Sequence, residues 1–460
     1  MPYINDAQTR LNRTEVAEIV RPSDAAGVQK AIAEAAGRSR SVSVAGGRHA
    51  MGGQAFGTDT VHIDATALRC IEALDANAQT VRVGAGVMWP ELIDWLHREQ
   101  ASAARPLAIR QKQTGVDAVT IGGSLGANIH GRGLRMGPIV DDIESFEIVD
   151  AAGRWLTCSR DDNAELFALT IGGYGLFGVV VSVTLRLTPR HWLRRDVEQI
   201  PIAELPTRAA ERYADGYLYG DCQFAIDLAG PADEHVGIFS CYRPIDAPNG
   251  RQPDRPTNGL TAEHWSKLYR LARTDKAAAF AAYRDYYLST DGSVHASDRS
   301  QLSAAFSGYS EAVSIDAGTE MITEVYVPPE ALLSLLSACR ADFVRHGVDL
   351  MYGTIRLIQP DTDTFLPWAR EPLACVVCNL HVEHTAEGIG KAKADFQRII
   401  DRAIEHGGHY YLTYHRWARR DQVERCYPKL PDMLARKRAY DPELRFRSDW
   451  YDHHVALRLS

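Results

Sequence analysis

The spacing of apolar and polar positions divides the chain into two stretches with different patterns. Over 24–37 (DAAGVQKAIAEAAG), small and apolar residues recur at helical spacing behind Arg21-Pro22-Ser23-Asp24, with Gly37 placed to end the helix. Short β-branched runs follow at 41–47, 61–66 and 80–86, and Trp89-Pro90 then opens the helix WPELIDWLHREQ. This pattern predicts a mixed α+β lobe. Beyond residue 190 the elements lengthen: a helix at 331–347, strands at 351–358 and 375–384, a helix at 390–408, and the strand-like HYYLTYH at 409–415. Helices and strands in this order predict a second, antiparallel sheet covered by helices. The stretch 246–261, rich in Pro, Gly and Asn, predicts a surface loop.

Composition narrows the classes. With 460 residues the chain exceeds what one hydrophobic core usually organises, so two lobes are expected. Its 51 basic and 59 acidic residues give no electrostatic reason to expect a nucleic acid. No apolar run approaches the ~18 residues of a membrane span, and the N-terminus lacks the basic start and apolar core of a secretory leader. Eight scattered cysteines read as reduced thiols of a cytoplasmic protein. The pair Cys375-x-x-Cys378 lies in a strand-like run with no second pair nearby, so packing is expected there rather than a dithiol or half a zinc site. No metal is expected.

Three glycine-rich segments carry the candidate chemistry: VAGGRHAMGG at 44–53, TIGGSLGANIHGRG at 120–133 and IGGYGLFGVV at 171–180, each read as following a strand. Glycine lets backbone amides approach a pyrophosphate closely. A Walker A loop is absent. Residues Gly173 to Gly178 match Gly-x-Gly-x-x-Gly formally, but VVVSVTLRLT follows as a strand where a dinucleotide fold requires a helix.

Taken in order, the segments from Arg21 to Pro189 resemble the FAD-binding domain of the vanillyl-alcohol oxidase and para-cresol methylhydroxylase superfamily. The resemblance implies a PCMH-type FAD-binding domain over 1–190, a substrate domain over 191–414 and a segment over 415–460 returning to the first domain. It implies that Gly46, Gly47, Arg48, His49 and Ala50 wrap the FAD pyrophosphate. Thr120, Gly122, Gly123, Ser124 and Gly126 would pass along the cofactor, with Val179 and Val180 at the adenosine end. Gly46-Gly47-Arg48-His49 is similar to the loop of members with a histidyl-flavin bond, which implies a single covalent link through His49. The other reading is a histidine that only hydrogen-bonds or packs beside a phosphate. Between Gln111 and Gly126 there is no cysteine for a second link.

On the substrate side, His130 stands where sugar-oxidising relatives carry a histidine. Strand periodicity supplies the rest, because alternate side chains share a face. It groups Tyr352, Thr354 and Arg356; Asn379, His381 and Glu383; Tyr410, Leu412 and Tyr414; and Glu324 with Tyr326. Four strands thus predict a polar wall, unless that face is simply solvated. The tail from Tyr427 to Asp449 is similar to that of decaprenylphosphoryl-ribose oxidase. Tyr414, however, replaces its lysine and Asn379 its cysteine, which weakens the case for a lipid-linked substrate. The expected activity is oxidation of a hydroxyl on a sugar, polyol or polar secondary metabolite by hydride transfer to flavin N5, with Tyr414, His381, Arg356, Asn379, His130 and Glu324 around the reacting group. A phenolic or amine substrate, a lipid-linked sugar and a non-catalytic flavin module remain as alternatives. Whether O2 reoxidises the flavin, and the oligomeric state, are open at this point.

Overall fold

The computed structural model describes residues 1–227, 235–246, 260–302 and 318–459. Most of the predicted 246–261 loop lies outside these residues.

The N-terminal strands build two main sheets beside a short antiparallel pair, Tyr3–Ile4 with Thr14–Glu15. A parallel one has the order Glu18–Val20, Val61–Asp64, Val42–Ala45. Helix Ala25–Gly37 packs on it through Val28, Ile32 and Ala35, and its start is fixed where Asp24 accepts from the Gly27 amide. The helix ends at Gly37 as expected, and a left-handed residue, Ser39 (φ 51°), follows two positions later. The chain's tail joins this sheet: Val42 donates to Arg445 O at 2.6 Å, and Arg447 donates to Val42 O at 2.9 Å. Phe446 is thereby buried among Val42, Val61 and Ile63. The second sheet is antiparallel and runs Trp155–Ser159, Ile143–Val149, Val179–Pro189, Thr80–Gly84, Ile71–Asp75, with Leu107–Ile109 also on Val179–Pro189. The third glycine segment follows helix Ala164–Thr170, not a strand: Leu166, Phe167, Leu169 and Thr170 are buried at helical spacing, which the sequence reading missed.

The expected second sheet has eight antiparallel strands. Its order is Val294–Ala296, Trp192–Pro201, Val236–Ile245, Tyr219–Phe224, Leu350–Ile358, Leu373–Glu383, Gly318–Val327, His409–Tyr410. Helices Leu332–His346 and Ala386–Glu405 cover one face, where Cys378 neighbours Cys339. Helices Ala262–Thr274 and Lys276–Ser289 approach the other, with Tyr283 against Tyr352 at 5.9 Å. Cys375 and Cys378, three residues apart on one strand, point to opposite faces. Both are buried free thiols, as packing requires.

One expected strand is not formed. Only His409–Tyr410 pairs with the sheet, and the chain then turns, so Tyr410, Leu412 and Tyr414 do not share a strand face. The first glycine loop supplies the reason. Gln54 donates to Leu412 O at 2.6 Å and Tyr414 O at 3.2 Å, while Met51 donates to Thr413 O at 3.3 Å, so these groups bond to the loop instead of a neighbouring strand.

Candidate functional site

A cavity of about 1290 Å³ runs between the glycine segments and the eight-stranded sheet. One wall is the turn after Val42–Ala45. Arg48 is left-handed (φ 59°), and the amides of Gly47, Arg48, His49 and Ala50 donate to no protein acceptor among the described residues. Successive N–H groups around such a turn form a concave anion-binding nest. Close contact explains the glycines: a Cβ on Gly46 would overlap the Thr120 hydroxyl, and one on Gly47 the Ala118 carbonyl. Gly47→Ala is accordingly expected to abolish stable FAD loading, read from the flavin-to-protein absorbance ratio. Wild-type loading in that variant would show that the cradle tolerates a Cβ.

The second glycine segment presents a different surface. Thr120 caps helix Ile121–Ala127 by accepting from Gly123 N at 3.1 Å, and Gly122 N is taken by Ala85 O at 2.8 Å. With those amides paired, Thr120, Gly122, Gly123 and Gly126 offer the cavity a smooth flank rather than a phosphate clamp. Ser124 does not line it; its buried hydroxyl accepts from Trp89 Nε1 at 2.9 Å. Val180 lines the cavity, whereas the Val179 side chain packs in the core. His49 lines the cavity too. Burial pushes its pKa down, against a hydrogen bond with the Ala118 backbone, so the imidazole is neutral near pH 7.

On the sheet side the cavity meets a buried hydrogen-bond cluster centred on Glu324, in strand Gly318–Val327. Its carboxylate accepts from His130 Nε2 at 3.0 Å, Tyr326 OH at 2.7 Å and Tyr414 OH at 2.6 Å. Burial alone would raise the Glu324 pKa, but the charge and hydrogen bond of His130, the charge of Arg356 and the Tyr414 hydroxyl outweigh it and hold it at about 2. Tyr414 is driven well above the usual phenol range by burial and by the adjacent carboxylate, so it stays protonated. His130 is aimed by Asn128, whose left-handed backbone (φ 50°) ends the helix. Asn128 is in turn anchored by donating to Asp361 at 2.8 Å and accepting from Val140 N at 3.2 Å. Nδ1 of His130 faces Gly131 O at 3.1 Å, so both ring nitrogens look onto oxygens. Arg356 is buried beside this cluster with Nε unpaired and no ion-pair partner within 4 Å among the described residues.

The structure thus brings Glu324, His130, Tyr414, Arg356 and Asn379 to one cavity wall. His381 does not join them. It lies two residues beyond Asn379, about 7 Å along the strand, where Nδ1 meets Glu320 at 2.9 Å and Nε2 meets Arg273 at 2.9 Å under helix Ala262–Thr274. The sequence reading also missed an aromatic shelf on the far side of the cavity, formed by Tyr242, Trp265, Phe280, Tyr283 and Tyr287 beside Tyr352. Rings 283 and 287 lie 4.5 Å apart, and the Arg195 guanidinium sits 4.6 Å over ring 287. These residues come from helices Ala262–Thr274 and Lys276–Ser289 and strand Val236–Ile245, outside the four strands grouped from the sequence. The tyrosine spacing in AAYRDYYLS was the available signal.

Comparison with known proteins agrees with this geometry. Residues 16–159 match a family described as an FAD binding domain. An uncharacterized oxidoreductase of the fasciation locus in Rhodococcoides fascians is 32% identical over 174 residues, 38% of each chain. From Oryza sativa, mitochondrial L-galactono-1,4-lactone dehydrogenase 2 is 34% identical over 120 residues (26% of this chain, 19% of the relative). Cytokinin dehydrogenase 10 of the same plant is 31% identical over 149 residues (31% and 26%). The matched part therefore spans well under half of these relatives. Among the described residues no helix is long and apolar enough to cross a membrane. The amide nest and the flanking glycine segment lie within the matched region, so residues 16–159 carry an FAD-binding domain, in keeping with the resemblance to the vanillyl-alcohol oxidase and para-cresol methylhydroxylase superfamily.

Proposed function

We propose that this protein is an FAD-dependent oxidoreductase that oxidises a hydroxyl-bearing carbon of a polar metabolite, with the reacting group held at Glu324, Tyr414 and Arg356. The observation that carries this reading is the Glu324 cluster: a buried carboxylate gathers three donors at the wall of a cavity that is also lined by an unpaired amide nest. The nest at Gly47–Ala50 and the flank at Thr120–Gly126 suit the pyrophosphate and the body of FAD. When bound, FAD supplies the two-electron acceptor for the hydride of the substrate carbon.

The residues of the chain would act as follows. Tyr414 points its proton at Glu324, which leaves its oxygen lone pair to accept from the substrate hydroxyl. Arg356, with an unspent donor, holds a substrate oxygen. The Glu324 charge faces the carbon that becomes electron-poor as hydride departs. A carboxylate with a pKa near 2 is a weak base, yet a protonated carbonyl is a far stronger acid than a carboxylic acid. The proton is therefore expected to move late, through Tyr414 to Glu324. On this account the rate of flavin reduction is flat from pH 5 to 8 in its Glu324 dependence, and an acid limb appears only near pH 3 or below, where the variant or substrate still permits measurement.

The aromatic shelf favours, within this class, a metabolite with a flat apolar portion over a small polyol. The deciding experiment is anaerobic flavin bleaching with matched pairs such as glucose and its phenyl glycoside, beside phenols and amines, followed by readmission of air. Bleaching by amines alone would overturn the hydroxyl reading. Rapid recovery of colour in air would assign an oxidase and slow recovery a dehydrogenase.

The His49 imidazole, neutral and on the cavity wall, is suited to bond the flavin 8α-methyl carbon. Acid-precipitated protein should stay yellow, and His49→Ala should release its flavin on precipitation. A colourless wild-type pellet would remove the covalent link and leave His49 as a neighbour of the cofactor.

A further inference from the structure

Against the proton network lies a buried thiol, Cys375, that hydroxyl oxidation does not use. His130 Nε2 is 3.0 Å from Glu324 Oε2, and Cys375 Sγ is 3.8 Å from that nitrogen and 3.9 Å from that oxygen. All three side chains are buried, and no other His, Cys, Asp or Glu triad among the described residues draws its ligand atoms this close. Tetrahedral zinc with bonds of about 2.0–2.3 Å to N, O and S needs ligand-to-ligand edges of roughly 3.3–3.6 Å. Each observed edge reaches that range with a shift of under about half an ångström.

We propose that His130, Glu324 and Cys375 form a three-ligand site for a thiophilic divalent cation of the Zn²⁺ class, with the fourth position open to the cavity. The surrounding bonds are those a metal site requires. His130 keeps Nδ1 on the Gly131 carbonyl at 3.1 Å, the outer hydrogen bond that fixes the metal-binding tautomer. The carboxylate keeps its donors Tyr326 and Tyr414, at 2.7 and 2.6 Å. His130 and Glu324 line the cavity, which gives the ion a route in, and Cys375 closes the site from behind.

The test uses the FAD-loaded protein carrying Cys70→Ser, which removes the exposed thiol. Titration with cadmium chloride should give a near-ultraviolet thiolate-to-metal band saturating at one equivalent, and equilibrium dialysis with zinc chloride should give the same stoichiometry. Cys375→Ala should abolish the band, and Glu324→Gln should weaken binding at least 100-fold. Unchanged flavin content and melting temperature would show that both variants are folded, and Cys375→Ser serves if alanine disturbs packing. Absence of a band, or one that persists in both Cys375 variants, overturns the site. Bound zinc should also block flavin reduction, a consequence that rests on the proposed role of Glu324. Stoichiometric binding without inhibition would keep the metal site and count against that role.

Discussion

Glu324→Gln is expected to slow anaerobic flavin reduction by about 1,000-fold while flavin content and melting temperature change little. The amide keeps the shape of the side chain and can still accept from Tyr414, but it carries no charge and cannot take a proton. Glutamine also turns an NH₂ toward His130 or Tyr326, groups that now donate to the carboxylate at 3.0 and 2.7 Å. Some of the loss therefore comes from reorientation of the cluster. Glu324→Asp separates the two effects, because it restores charge and basicity while pulling the oxygens back, and should recover part of the rate. Tyr414→Phe should cost less than Glu324→Gln if the carboxylate can still take the proton through water. Arg356→Ala should mainly weaken substrate binding, about tenfold for one lost hydrogen bond. Asn379→Ala belongs with Arg356 in this respect. A Glu324→Gln enzyme that reduces its flavin at the wild-type rate would show that the carboxylate only organises the core. The reacting site would then have to lie elsewhere along the cavity.

Residues that share one strand were legible from the sequence, and residues that meet across the fold were not. Arg356 and Asn379 could be placed on the cavity face because a two-residue period fixes direction within a strand. That period says nothing about how far along the strand the cavity extends. His381 has the right parity and still falls under helix Ala262–Thr274, against Glu320 and Arg273. Tyr414 reaches Glu324 for the opposite reason. The HYYLTYH run has strand composition, yet its backbone is captured by Gln54 and Met51, some 360 residues earlier in the chain, and the resulting turn throws Tyr414 inward. Propensity cannot foresee such a long-range bond. The glycine segments were readable as a cofactor cradle, but only the structure shows that the two loops differ: the amides near His49 have no acceptor among the described residues, while Gly122 and Gly123 are already paired. Glu324 and Tyr326 were grouped on one face from the sequence. That they share a hydrogen bond, with His130 completing the cluster from the loop after helix Ile121–Ala127, depends on tertiary packing.

The protein is expected to lose stability steeply between pH 6.5 and 5, above the range where most carboxylates titrate. His62, His409, His415 and His454 are all buried, and burial lowers their pKa values, to about 4 for His62 and about 3 for the other three. Three lie against aromatic rings: His409 on Tyr326 at 5.2 Å, His415 on Phe396 at 3.9 Å and His454 on Trp450 at 4.3 Å. One ring nitrogen of each of these three has no hydrogen-bond partner among the described residues, so the folded protein offers a second proton no acceptor. Unfolded histidines titrate near 6.5. As pH falls below that value the unfolded chain takes up protons that the folded one refuses, so the histidine contribution is complete above 6.5 and drains away toward 3–4. At pH 5 each contributes a loss of about 2 kcal/mol. Asp142 works in the opposite direction. Burial, against the charge and hydrogen bond of Arg110, raises its pKa to about 6, so the folded state binds its proton first and regains about 1.4 kcal/mol by pH 5. The net loss, up to about 7 kcal/mol, is a large part of the 5–15 kcal/mol that usually holds a domain folded. Urea unfolding followed at pH 7.5 and 5.0 should therefore show a sharply lower midpoint at pH 5.0. His415→Phe, which keeps the packing against Phe396 and Trp417, should reduce that difference by about 2 kcal/mol without improving stability at pH 7.5 by as much. Equal midpoints at the two pH values would mean that these histidines bind protons in place, through local opening around each ring rather than through unfolding.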